Sequence, residues 1–180
     1  MAIHKNIPHY LLAILIAFLL KFVYKLTDTS DLFFILKPTD TLIGIIANSE
    51  SRFVSEHGYF HEKFNIVIDK SCSGFNFWIL CFLMLSFLTA NYFKRPIQKA
   101  LSIPIILFAS LLLTIGVNTS RILFSIFFHP YESALIENKY FWLHQAQGAF
   151  IYLFFLITIY LLSDFLLNKF KSSYEKSAES

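Results

Sequence analysis

Four stretches of this chain are almost wholly apolar and run on for the length of a bilayer crossing. A transmembrane helix needs about 20 such residues. The sequence predicts spans at about 8–26, 73–92, 101–128 and 144–167. Composition points the same way: 15% of residues are charged, where a soluble domain carries about a quarter. Twenty-two Phe in a chain of 180 residues are more than a soluble core of that size would hide, and a lipid solvent removes the difficulty. The expected fold class is all-α, a polytopic integral membrane protein with about four transmembrane helices. A single membrane domain is expected over 1–168, with a disordered cytoplasmic tail over 169–180.

The first outer loop, 27–71, contains an apolar piece at 32–47 that is interrupted by Lys37, Pro38 and Asp40. Its length and these breaks predict an interfacial or re-entrant segment. Phe64 to Asp69 reads as a short strand leading into the second span. The first span could pass for a signal peptide, but Thr27-Asp28-Thr29-Ser30-Asp31 after it lacks a small-x-small cleavage site. It is expected to be an uncleaved anchor.

Lys and Arg near span ends set orientation. The short loop around Lys94, Arg95 and Lys99 is basic, as are both termini, through Lys5 and through Lys169, Lys171 and Lys176. Both termini are therefore expected in the cytoplasm of a multi-pass membrane protein. The net charge of +3 is small and its cations serve topology; no dense basic face of the kind that binds nucleic acid is visible. The two cysteines, Cys72 and Cys81, lie about 13 Å apart if on one helix, too far for a disulfide.

Ionisable and polar groups inside a membrane are costly, so their presence calls for a reason. Ser110, Thr114, Asn118, Arg121 and Ser125 recur every three or four residues, on one face of the third span. Such a stripe faces the bundle or a wet cavity; helix packing with a snorkelling Arg is the competing explanation. Cys72 stands in Asp69-Lys70-Ser71-Cys72-Ser73-Gly74, at the outer start of the second span, where a helix end and a nearby cation favour the thiolate. Cys81 is mid-span among Leu, Phe and Met and is expected only to pack. His144 opens the fourth span on the same outer side. Tyr152 and Gln147 are further candidates for lining a pocket there. His57 and His61 could pair on a helix, but a zinc site there is not supported. No metal site is expected. A thiolate can attack a peptide carbonyl, a His can shuttle the proton, and a fixed cation can stabilise the developing oxyanion. The catalytic set expected is Cys72, Arg121 and His144.

These residues resemble the exosortase and archaeosortase family of membrane transpeptidases. The matching pieces are Ser71-Cys72-Ser73-Gly74, Asn118-Thr119-Ser120-Arg121 and His144-Gln145-Ala146-Gln147-Gly148, in that order, within about residues 64–165. The chain's size is similar to the short exosortase K branch, whereas many exosortases carry more spans and a longer N-terminal half. The resemblance implies a cysteine protease or transpeptidase that cleaves C-terminal sorting signals of exported proteins through a thioacyl-enzyme at the outer membrane face. It implies Cys72 as nucleophile, Arg121 and His144 beside it, and Asn118, Gly148, Ser73 and Gly74 as substrate-binding residues. Its partners would be exported proteins with such signals, the lipid bilayer and an acyl acceptor that the sequence does not name. Hydrolysis and ligation both stay open, as does the division of roles between Arg121 and His144. A non-enzymatic assembly factor or small-solute carrier would use the same stripe as a solute path, though transporter-like internal repeats are not seen. No cofactor is expected, because a haem would need paired His deep in facing spans.

Overall fold

In lipid, backbone N–H and C=O groups have no water to bond, so a crossing segment pairs them internally as a helix. The apolar runs of this chain do so. The structure is a computed structural model; it describes the backbone of residues 3–55, 57–93, 95–132 and 140–179, and side chains over 6–55, 57–93, 95–127 and 146–170. The α-helices are α1 (Ile3–Leu26), α2 (Phe33–Ala47), α3 (Phe75–Tyr92), α4 (Pro96–Glu132) and α5 (Tyr140–Glu179). Of the described helices, four are long and apolar enough to cross a membrane, built on α1, α3, α4 and α5. The protein is an all-α polytopic membrane protein, with one small sheet added to it.

Two boundaries differ from expectation. Helix α4 begins at Pro96, so Pro96 takes the first turn, where a missing N–H costs little, and Pro104 lies inside the helix. Helix α5 continues through Glu179, where the polar composition suggested a disordered tail. Extending a formed helix adds a hydrogen bond per residue without a new nucleus, and Lys, Glu, Ser and Ala permit it.

Helix α2 has 15 residues, about 22 Å at 1.5 Å per residue, too short to cross. Its Pro38 and its charges do not break it. Lys37 Nζ reaches Asp40 Oδ2 at 3.2 Å and lies 4.9 Å from the centre of the Tyr59 ring. The buried face of α2, Leu36 and Ile43 included, shares a core with Tyr59, Trp78 and Ile122. The opposite face leaves Phe33 and Ile45 exposed.

Between α2 and α3 the chain forms an antiparallel sheet: β1 (Ser51–Val54), β2 (Gly58–His61) and β3 (Ile66–Ile68), in that spatial order. Strand β3 is the short strand foreseen at 64–69. Strands β1 and β2 were not foreseen, because four residues each give too little alternation to read. Their register pairs Ser51 with His61 and Tyr59 with Ile68. His57 and His61 therefore do not share a helix: His61 is in β2 and His57 in the turn before it.

His61, wholly buried, ties the sheet to α2. Its Nε2 lies 3.1 Å from Asp40 Oδ1, off the line of a hydrogen bond, and its Nδ1 is 3.1 Å from Ser49 Oγ. Burial disfavours the Asp40 charge, but the close contact with His61 and the pairing with Ser51 and Lys37 outweigh it and hold the carboxyl below its ordinary range. A depressed folded value makes the charge stabilising above the unfolded carboxylate's pKa of about 3.9, and that stability is lost as pH falls through the folded value. Asp40→Asn is expected to cost about 1–3 kcal/mol at neutral pH, since an amide replaces the carboxylate that faces His61, Ser51 and Lys37. It should also flatten the acid limb below about pH 4. Thermal unfolding in detergent across pH checks both; parallel acid limbs in the two proteins would contradict the assignment.

Candidate active site

The site forms at the sheet-bearing end of the bundle. Strand β3 leads through Asp69 into one 3-10 turn, Lys70–Cys72. Asp69 caps that turn: Oδ1 accepts from Ser71 N–H at 2.9 Å, Ser71 O–H at 2.6 Å and Cys72 N–H at 3.2 Å. Helix α1 clamps it from outside. Tyr24 O–H donates to Lys70 O at 3.0 Å, and Lys70 Nζ donates to Thr27 O at 2.5 Å. The Tyr24 ring stacks on Phe75 with centres 4.4 Å apart. Cys72 is thus held half-buried on a short, pinned turn rather than on the first turn of α3 itself. Burial disfavours the Cys72 thiolate, the Asp69 carboxylate beside it adds to that, and Arg121 across the cavity only partly opposes them, so the local environment does not favour the thiolate as the sequence suggested.

Gly74 separates this turn from α3. Its φ is +70°, and a Cβ there would come 3.0 Å from Asn118 Cγ, so a side chain would be strained by backbone and neighbour alike. Ser73 is buried, and its Oγ accepts from Phe75 N–H at 3.3 Å. It works as a cap for the start of α3.

The polar stripe of α4 faces inward as its spacing predicts. Ser110, Thr114 and Asn118 have no exposed surface. Asn118 Nδ2 donates to the Cys72 carbonyl at 2.5 Å, and its Oδ1 accepts from Tyr152 O–H at 2.7 Å. Tyr152, on α5, accepts from Arg121 Nη1 at 3.2 Å, and its ring lies 5.2 Å from the guanidinium carbon. Two helices, α4 and α5, and the cysteine turn are joined by this one chain of hydrogen bonds. Asn118 is spent on positioning Cys72 and Tyr152, which explains its place in the stripe better than direct substrate contact does. Gly148 is buried against Arg121, where a Cβ would sit 2.7 Å from Nε.

Two openings meet at Arg121. A cavity of about 460 Å³ runs between β3 and α4, walled by Ile66, Ile68, Ile122 and Ile126, with Cys72 and Arg121 both on its surface. On the other side of Arg121 a more polar cleft is lined by Tyr24, Ser73, Gly74, Gly148 and Tyr152. The first volume is in the range of small-ligand sites. Together they put the thiol and the guanidinium on one accessible surface.

Of the residues singled out in the sequence, Cys72, Arg121, Asn118, Ser73, Gly74, Gly148 and Tyr152 come together. His144 lies in α5 one turn before Gly148; its side chain is outside the described residues. Gln147 buries its amide nitrogen without a hydrogen-bond partner among the described residues. Cys81 packs in the core with Phe77 and Phe82. Tyr24 and Lys70 were not singled out. The only sequence signal for them was their proximity to the ends of segments that the fold brings together.

A family model described as transmembrane exosortase matches residues 9–161. No curated protein and no solved structure matches the chain.

Tyr152→Phe keeps the ring over Arg121 and against Phe77 but removes the hydroxyl that joins Arg121 to Asn118. It is expected to lower unfolding stability in detergent by about 1–3 kcal/mol, the cost of buried groups left unpaired. An unchanged midpoint would show that the link carries no energy.

Proposed function

The chain belongs to the transmembrane exosortase family, and from that premise we propose that it is a membrane-embedded cysteine transpeptidase or protease acting on C-terminal sorting signals of exported proteins, at the outer face of the inner membrane. The observation that carries this reading is the shared cavity: a half-buried thiol and a guanidinium on one accessible surface, pinned by a continuous hydrogen-bond chain through Asn118 and Tyr152.

In the proposed reaction the Cys72 thiolate attacks the carbonyl carbon of the scissile peptide bond. Charge develops on the carbonyl oxygen, and Arg121 stabilises it in a cavity with mostly apolar walls, where such a contact is worth far more than in water. The intermediate collapses: the C–N bond breaks, the amine leaves with a proton, and an acyl thioester remains on Sγ. His144 is the proposed donor of that proton. An acceptor amine or water then attacks the thioester, the C–S bond breaks, and the thiol is restored. The burial of Asn118 and the tight approach of Gly148 to Arg121 serve orientation, which can be worth as much as the chemistry itself.

Cys72→Ala is expected to abolish processing, so that exported precursors keep their C-terminal signals on immunoblots of membrane fractions. Gly148→Ala is expected to lower stability by about 1–3 kcal/mol through overpacking and to process poorly, because the new methyl displaces Arg121. Normal processing by Cys72→Ala would end the proposal.

A further inference from the structure

The sheet order leaves the outer edge of β3 without a strand partner among the described residues. An edge strand presents a row of N–H and C=O groups that seek partners. Here that edge borders the cavity. Ile66, Val67 and Ile68 all line it, although successive strand side chains point to opposite faces. Three consecutive residues can line one cavity only where the cavity runs along the backbone edge itself. The facing wall is α4, through Ile122 and Ile126. The far end is reached by Lys63, whose Nζ is already engaged by the carbonyls of Ala47 and Asn48.

Strand β3 also fixes a register. Only Asp69 separates it from the turn that carries Cys72, and that turn is clamped by Tyr24 and Lys70. A chain hydrogen-bonded along β3 would therefore arrive at Sγ in a set position. Resting on the transpeptidase reading above, we infer that the free edge of β3 is the docking edge for the substrate: an extended peptide segment adds to the sheet as a fourth strand, next to β3, and delivers its scissile carbonyl to Cys72. This is recognition by strand addition, in which main-chain bonds supply affinity and side-chain pockets supply selectivity.

The direction follows from the geometry. On the transpeptidase reading, the exported part of the substrate lies on the sheet side and its anchor beside the spanning helices. The acyl segment thus runs along β3 towards Cys72, parallel to the strand. The edge accommodates about three residues, roughly 10 Å at 3.3 Å each. Ile122 and Ile126 make the facing pocket apolar, so the segment carries an apolar side chain there. The polar cleft beyond Arg121 lies on the leaving-group side.

The test uses the purified full-length chain in detergent, peptidyl chloromethyl ketones of one to four apolar residues, and iodoacetamide as a small alkylating control. In each case Sγ bonds to carbon as the carbon–halogen bond breaks, the halide leaves and the thiol proton passes to solvent. Mass spectrometry of the Cys72 peptide gives the rates. Rates are expected to rise with reagent length to about three residues and then level. Single N-methylation of the reagent's amides should slow alkylation about five- to tenfold at alternate positions, the loss of one main-chain hydrogen bond, and leave the intervening positions alone. If iodoacetamide labels Cys72 but length and N-methylation have no effect, the docking edge is wrong and the nucleophile stands. If no reagent labels Cys72, the nucleophile and the docking edge fall together.

Discussion

Asn118 sits without exposed surface in the middle of an apolar helix, and both ends of its amide are occupied. One end holds the carbonyl of Cys72; the other takes the hydroxyl of Tyr152, which in turn holds Arg121. In a low-dielectric interior a half-satisfied polar network is worse than none. The stripe on α4 is therefore tied to the turn after β3 and to α5 as a unit. Gly74 gives Asn118 its space and Gly148 gives Arg121 its space, so two of the small residues near the cysteine follow from the same constraint.

The sheet end is organised by a second buried polar contact. Asp40 on α2 meets His61 on β2, and the core of Ile43, Tyr59 and Ile68 packs beside them. That contact keeps a 15-residue helix with an apolar outer face seated against the sheet, and the sheet seats β3 above the cavity. At the opposite end of the bundle, Lys99 donates to Asn6, and Asn6 and Tyr10 both bond to Asn91 at 3.0 and 2.8 Å. Polar clasps at both ends and apolar packing between them suit a bundle whose middle has only lipid outside it.

The four spans were legible because length and hydropathy are the dominant constraints on a crossing helix. Cys72 and Arg121 could be placed near one another because alternate span directions put their helix ends on the same side. The inward face of Ser110, Thr114 and Asn118 was legible from a spacing of four. The sheet was legible only at β3. Strands β1 and β2 are held by Asp40–His61, a contact between residues 21 positions apart in sequence, and local pattern carries no trace of it. Lys37 and Asp40 read as helix interruptions because their mutual pairing and the ring of Tyr59 are tertiary facts. The tie of α1 to the cysteine turn through Tyr24 and Lys70 was hidden for the same reason. The expectation of a thiol favoured by a helix end missed Asp69, whose carboxylate caps that turn.

The central claim is that Cys72 is a water-accessible thiol on the outer side of the membrane, sharing its cavity with Arg121. Labelling intact cells that express the chain with a membrane-impermeant maleimide tests it most directly, with buried Cys81 as the internal reference. The account predicts that Cys72 labels from outside while Cys81 labels only after denaturation, and that Arg121→Ala slows the reaction at Cys72. Labelling of Cys72 only after the membrane is opened, or at a rate indifferent to Arg121, would contradict it.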